Sequence, residues 1–342
     1  MKNRVTIYDI AKTAGVSPAT VSRMIHQPGI VTEKTRNKIL EAFAFHQINP
    51  EDLATKKKYA SVSSDLQKRA QNTTILVCIP TWNNPFYDDI LEGIQDYLYR
   101  LHHHMVVTPE IPRRDTLSSF LNYCMNLQIS GIIVMYPLSE DLLRQLNAAY
   151  PVVQCSEYNP FCHNTPYVSI DDYSISREAM KHLIDKGCKK IGFFSSPYDY
   201  RYVQNRYRAY KSVLTENGLA ARPEYAVQVS DFSYDRILSA AEHFFRLSDP
   251  PDAIFATSDK HAHAAIKAGH SLGFDIPKDV KVFGFDNTMY ATLSTPTIST
   301  VVQPRRELGV QSTILLLDLI KNPHAPCRPV LLPTSLLIQE ST

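Results

Sequence analysis

The chain has 342 residues, 44% of them hydrophobic, with 36 Lys and Arg against 34 Asp and Glu; this excludes global disorder and leaves room for more than one domain. Apolar runs fall short of the roughly 18 residues a membrane span needs, and the start MKNRVTIYDIAK carries charges where a secretory signal needs its apolar stretch. The expected location is the cytoplasm, with no membrane partner. Cys78, Cys124, Cys155, Cys162, Cys188 and Cys327 include no C-x-x-C pair, so reduced thiols are expected and neither a metal nor a cofactor. The near-zero net charge is unevenly distributed: residues 1–74 carry twelve Lys and Arg against six acids, a net of +6, which leaves −4 for the rest of a chain whose total is +2. A basic head on a mildly acidic body points to a polyanionic partner, the alternative being a solvated Lys-rich surface.

Residues 1–48 read as three short helices. Thr6 is placed to cap a helix through Ile7, Ile10, Ala11 and Ala14, and Gly15 supplies the positive φ of a tight turn. Ser17 caps a second helix that opens on Pro18 and turns Val21, Met24 and Ile25 inward. Pro28 and Gly29 end it, and Thr32 caps a third helix with an apolar stripe of Ile39, Leu40 and Phe43. Two helices joined by a Gly-containing turn and braced by a third make a helix-turn-helix, whose second helix enters the DNA major groove. Arg23 is then a candidate for bidentate contact with guanine, Ser17, Thr20 and Ser22 for phosphates or base edges, and Pro18 and Ala19 for a thymine methyl. Thr6, Tyr8, His26 and Lys57 complete the candidate DNA-facing set. The competing reading is a generic helical hairpin with Arg23 merely solvated.

Residues 49–74, with Pro50, Lys56-Lys57-Lys58 and few large apolar side chains, read as a hinge or linker. From 75 to 342 short apolar strands alternate with amphipathic helices: ILVCIP, a helix from Pro85 to Leu101, HMVVTPE, another helix, GIIVMYP, then PVVQC and YVSI. A second series runs KKIGFFSS, a helix around Arg206 to Asn217, AIFATSD, a helix after Asp259, and DVKVFGFD. Such βαβ alternation predicts an α/β core of parallel sheets in two similar lobes with a cleft between them.

VTIYDIAKTAGVSPATVSRMIHQPGIVTEKTRNKIL closely resembles the DNA-binding head of the lac repressor (LacI/GalR) family of bacterial transcription regulators, and motifs resembling its effector core follow in order: NNPFYDDILEGI, ISGIIVMYP, HLIDKGCKKIGFFSSP, NRYRAY, DAIFATSD, IPKDVKVFGFDN and TISTVVQP. The resemblance implies a homodimer on a pseudo-palindromic operator, and a core shaped like a periplasmic sugar-binding protein that closes on a small molecule. It also implies effector contacts: Asn84, Phe86 and Tyr87 after the first core strand, Arg206 for hydroxyl or carboxylate oxygens, Phe232 as a stacking ring, Asp286 as a hydroxyl acceptor, and Gln303 as a lining residue. For Phe86, Tyr87 and Phe232 the alternative is core or cleft filling.

Departures from the family pattern are specific. Ser156-Glu157 stands where many members carry an Asp-Arg pair that grips a sugar, and Ser258-Asp259 replaces the usual Asn-Asp; of these, Ser156 and Ser258 are candidate effector contacts. Tyr158, Tyr198, Tyr200 and Tyr202 suggest an aromatic cleft entrance. In the hinge, Leu53-Ala54 matches the start of the family's short helix, but Lys57 stands where a minor-groove Leu wedge is usual. His102, His103 and His104 are expected at the surface rather than on a metal, since consecutive residues on a helix face different ways. With no G-x-G-x-x-G, G-x-x-x-x-G-K-[ST] or G-x-S-x-G and no catalytic constellation, the expectation is a ligand-responsive repressor of a carbohydrate-use operon, not an enzyme. The alternative is a cytoplasmic small-molecule-binding protein with weak or non-specific DNA binding.

Overall fold

The computed structural model describes residues 5–26, 31–46, 48, 73–230, 232–323 and 326–342, with His26 described by its backbone alone. The chain forms two compact units, a helical head and an α/β core. In the head, α1 (Ile7–Ala14) opens on a reciprocal capping box: the Thr6 hydroxyl accepts from the Asp9 amide, and the Asp9 carboxylate accepts from the Thr6 amide at 2.7 Å. Gly15 closes it at φ 66°, donating its amide to the last-turn carbonyls. The Ser17 hydroxyl accepts from the Thr20 amide at 3.2 Å and so caps α2 (Pro18–His26). Thr32 does not cap α3 (Glu33–Phe45) as expected; its hydroxyl bonds that of Thr35 at 2.9 Å.

Ile10, Ala11, Ala14, Val21, Met24, Ile39, Ala42 and Phe43 form the head's core. Leu40, expected inward, is 40% exposed, because Ile39 and Phe43 at i and i+4 set the buried face and Ala42 completes it. The Thr13 hydroxyl and His46 Nε2, 2.7 Å apart, tie the end of α1 to the end of α3.

In the core, β1 (Thr74–Cys78), α4 (Phe86–Arg100), β2 (His104–Thr108), α5 (Leu117–Asn126), β3 (Gly131–Val134), α6 (Glu140–Ala149), β4 (Val152–Cys155) and β5 (Tyr167–Ile170) follow in order. The chain then crosses through α7 (Asp172–Asp185) to β6 (Ile191–Ser195), α8 (Arg201–Glu216), β7 (Ala226–Gln228), α9 (Tyr234–Arg246), β8 (Ala253–Ala256), α10 (Asp259–Ser271), β9 (Lys281–Phe283), α11 (Met289–Leu293) and β10 (Thr300–Val302). It returns through α12 (Arg305–Lys321) to β11 (Val330–Leu332), and β12 (Ser335–Leu337) pairs antiparallel with β10.

The first sheet has the order β11-β5-β4-β3-β1-β2 and the second β7-β6-β8-β9, and the pairs within both are parallel. Both sheets have buried central strands such as β3 and β8, which is why these segments read as uninterrupted apolar runs. Among the described residues no helix is long and apolar enough to cross a membrane, and no group of three or more His, Cys, Asp or Glu is placed to hold a metal ion. His102 and His104 are exposed and His103 is half-buried.

Helices α4 and α12 approach closely enough to require glycine on both. A Cβ on Gly309 would lie 2.1 Å from the Ile90 carbonyl oxygen, and one on Gly93 would lie 2.2 Å from that of Arg306. Both obstacles are backbone, so either Gly→Ala substitution must separate the helices and disturb the Ile90, Ile94, Leu308 and Leu316 packing beneath them. Gly93→Ala and Gly309→Ala are each expected to destabilise the core by about 1–3 kcal/mol, read as a lower denaturation midpoint at constant slope. An unchanged midpoint would contradict the close crossing.

Candidate functional site

The structure offers two surfaces to which the sequence assigned chemistry. On the head, Ser17, Ala19 and Arg23 are exposed along the start of α2, with Pro18, Thr20 and Ser22 half-buried beside them. Ser17 and Thr20 share a 2.8 Å hydroxyl contact as part of the helix cap, and the Thr6 hydroxyl is engaged by Asp9, so these groups have a structural task besides any contact with DNA. Tyr8 is 74% exposed on α1. The side chain of His26, all of Lys57 and the hinge departure lie outside the described residues.

In the core, the nine residues singled out for effector contact, namely Asn84, Phe86, Tyr87, Ser156, Arg206, Phe232, Ser258, Asp286 and Gln303, line one cleft of about 600 Å³, part of it open to solvent. They come from strand ends and helix starts in both lobes, where open α/β sheets bind ligands. The Asn84 carboxamide oxygen accepts from the Phe86 amide at 3.1 Å and fixes the turn into α4, presenting Phe86 and Tyr87 edge to face. The Ser258 hydroxyl caps α10, accepting from the His261 amide at 3.3 Å and meeting His261 Nδ1 at 2.8 Å. Phe232 is half-buried and meets Tyr200 edge to face at 5.6 Å. Phe232 is therefore a cleft-lining ring, whereas Phe86 both lines the cleft and packs, buried, in the first lobe's apolar core.

Two of these residues hold left-handed backbone without being glycine: Ser156 at φ 67° and Asp286 at φ 105°. Neighbouring strand bonds hold both in place. The Ser156 amide donates to the Val168 carbonyl and the Asp286 amide to that of Val301. Strain maintained this way commonly marks ligand sites.

Arg206 lines the cleft and is also held by groups of the chain. Its Nε and Nη2 both donate to Asp172 Oδ1, at 2.9 and 2.7 Å, and Nη1 donates to the Thr257 carbonyl at 2.6 Å. The guanidinium lies 3.3 Å from the Phe285 ring centroid and 4.6 Å from that of Tyr202. It lines the cleft as a neutralised ion pair, not as a free cation awaiting an anion. Asp286 Oδ1 accepts from the Gln303 side-chain Nε2 at 2.7 Å and stands 3.8 Å from Arg206. Burial pushes the Asp286 carboxyl up from the usual carboxylate range, against the pull of Arg206.

The sequence did not mark several further lining groups as contacts. Glu157 is buried, and desolvation raises its carboxyl to about 7. Lys260 Nζ donates to the Phe232 carbonyl at 2.7 Å and to that of Asn83 at 3.3 Å. Ser196, Thr257 and His261 also line the cleft. Of the four tyrosines expected at the entrance, Tyr200 and Tyr202 line it; Tyr158 instead stacks on Tyr167 at 3.6 Å, and Tyr198 packs edge to face on Tyr207. Asp259 is fully buried; Oδ1 accepts from Thr300, and Oδ2 from the amide and hydroxyl of Thr288, so it braces the floor of the site.

Residues 6–50 match the profile of bacterial regulatory proteins of the lacI family, and residues 180–342 that of the periplasmic binding protein-like domain. Catabolite control protein A of Priestia megaterium is 31% identical over 341 residues, 99% of each chain. The structure of the transcriptional regulator CelR with cellobiose superposes with a TM-score of 0.72 at 24% identity, covering 99% of this chain and 100% of that one. That of the lac repressor dimer bound to operator and the anti-inducer ONPF superposes at 0.71, also at 24% identity, with 99% of each chain covered. The helix-turn-helix head, the two parallel-sheet lobes and this full-length likeness agree: the chain belongs to the lacI family of bacterial regulatory proteins.

Proposed function

We propose that this regulator represses a carbohydrate-use operon in the cytoplasm, binding a pseudo-palindromic operator as a homodimer and answering to a small molecule in the core cleft. The convergence of nine separately assigned residues on one cleft supports this most strongly. In this reading residues 1–48 bind DNA, 49–74 connect, and 75–342 bind effector and dimerise. The protein turns nothing over; its relative is a control protein, and its work is the coupling of two binding sites. A useful effector must shift operator affinity by about 1–3 kcal/mol.

The α2 surface carries base readout in this proposal. Arg23→Ala is expected to cost about 1–3 kcal/mol on the preferred operator and to relax the choice of base at one position, read by fluorescence anisotropy across operator variants. A small, uniform loss erased by salt would instead make DNA binding non-specific and favour a small-molecule-binding protein.

Asp286 is the proposed acceptor for effector hydroxyls. Asp286→Ala is expected to weaken the effector identified by thermal-shift screening tenfold to a hundredfold, about 1–3 kcal/mol, in calorimetric titration. Unaltered affinity would remove Asp286 from the contact set.

The cleft floor also sets a pH response. Burial pushes His261 down to about 3, against about 6.5 in the unfolded chain, and its Nε2 has no hydrogen-bond partner. Between these values the unfolded state binds the extra proton, so this residue's contribution to stability falls as pH falls below about 6.5, by about 2 kcal/mol at pH 5. The melting midpoint should therefore drop more between pH 7 and 5 in the wild type than in His261→Gln. Equal drops would show that His261 does not titrate this way.

A further inference from the structure

Glu157 stands where the family resemblance implied half of a sugar-gripping pair, and the structure gives it other work. It follows the left-handed Ser156 at the end of β4, in the first lobe. Its carboxylate reaches the second lobe, where Oε2 accepts from the Arg201 amide at 3.0 Å and Oε1 from the Tyr202 amide at 2.9 Å. These are the first two amides of α8, a 16-residue helix whose own N-cap, Tyr200, provides no side-chain bond and whose first turn contains no acid. A helix start attracts an anion through its unpaired amides and its dipole. Here the anion comes from the opposite lobe and is itself only 4% exposed.

The next residue reinforces the grip. Tyr158 stacks on Tyr167, and the Arg201 guanidinium lies 3.8 Å from the Tyr158 ring centroid. Residues 157 and 158 thus hold residue 201 by its backbone and its side chain together. Of the cleft's other cations, Arg206 is paired with Asp172 and bonded to the Thr257 carbonyl, and Lys260 Nζ donates to two carbonyls.

We infer that Glu157 is a specificity-determining clasp, which seats the protein's own carboxylate on the α8 N-terminus and thereby selects uncharged polyhydroxy effectors over phosphorylated or carboxylated ones. The inference rests on the cleft being the effector site proposed above. A ligand anion would have to displace the Glu157 carboxylate from these two amides or lie beside it, and like charges at such range repel. A neutral sugar meets rings, hydroxyls and amides instead.

The test uses the full-length protein and its Glu157→Ala variant, with hydrogen exchange followed by mass spectrometry on the peptide spanning 198–206, with and without inorganic phosphate. Exchange at the start of α8 is expected to be at least tenfold faster in Glu157→Ala and to be slowed again by phosphate, while phosphate leaves the wild type unchanged. In parallel, thermal-shift titrations compare ribose with ribose 5-phosphate and galactose with galacturonate. Preference for the neutral member should be tenfold or more in the wild type and should shrink in Glu157→Ala. Equal exchange in the two proteins, or a wild type that prefers the anionic member, would overturn the clasp. Operator binding by the wild type, measured separately, reports on the regulator reading, so the two can fail independently.

Discussion

One buried guanidinium organises the core. Arg206 is 3% exposed, yet it connects Asp172 at the start of α7, the Thr257 carbonyl beyond β8, and the Phe285-Asp286 segment beyond β9. Removing a charge of this kind from water costs several kcal/mol and is tolerated only where opposite charge and acceptors surround it. Deleting one member of such a group typically costs about 3–5 kcal/mol, because the partner is left buried and unpaired. Asp172 lies two residues beyond β5 and opens the crossover helix α7, so the same ion pair fixes where the chain first enters the second lobe. Burial, with the nearby Asp259 carboxyl adding to it, raises the Asp286 carboxyl despite a cation 3.8 Å away.

That arrangement explains how polar groups come to face the cleft. Strand ends leave the sheet with unpaired backbone groups, and both Ser156 and Asp286 turn there through left-handed conformations that cost about 1–3 kcal/mol each. The surrounding strands hold them in place, through Val168 and Ser169 at the first and Val301 and Gln303 at the second. Helices α4 and α12, packed on the first sheet, cross at glycine-to-backbone distance. The site is therefore built on stiff elements, and the lobes remain the parts able to shift when a ligand arrives.

The head was legible because its information is local. Thr6, Gly15, Ser17 and Pro18 act within three or four residues; among the described residues Leu40 was misassigned by a choice between adjacent positions, and Thr32 stands at the start of α3 but turns its hydroxyl to Thr35. The long apolar strands of the core were equally plain, whereas β7, β10, β11 and β12 are three residues each and too short to show a period. Helix α12 was hidden for another reason: its buried face, which runs through Leu308, Gly309, Ser312, Thr313, Leu316 and Leu317, includes Gly, Ser and Thr, so it does not stand out as an apolar stripe beside the half-buried Leu315, Leu319 and Ile320. The nine effector-site residues were located by resemblance. Periodicity alone would have left Phe86, Tyr87 and Phe232 as packing.

Glu157 shows what resemblance cannot supply. Its sequence neighbours say only that a familiar pair has changed; its partners, the amides of Arg201 and Tyr202, lie 44 and 45 residues away in the other lobe. A family motif carries the position of a site because backbone geometry persists through substitution, but the chemistry accepted there follows from the charges left over once the protein's own groups have paired. In this cleft the guanidinium of Arg206 is paired with Asp172, the ammonium of Lys260 is hydrogen-bonded to backbone carbonyls, and Glu157 holds the helix start. What stays available is hydrogen-bonding capacity and aromatic surface, and those select for hydroxyls on a ring rather than for charge.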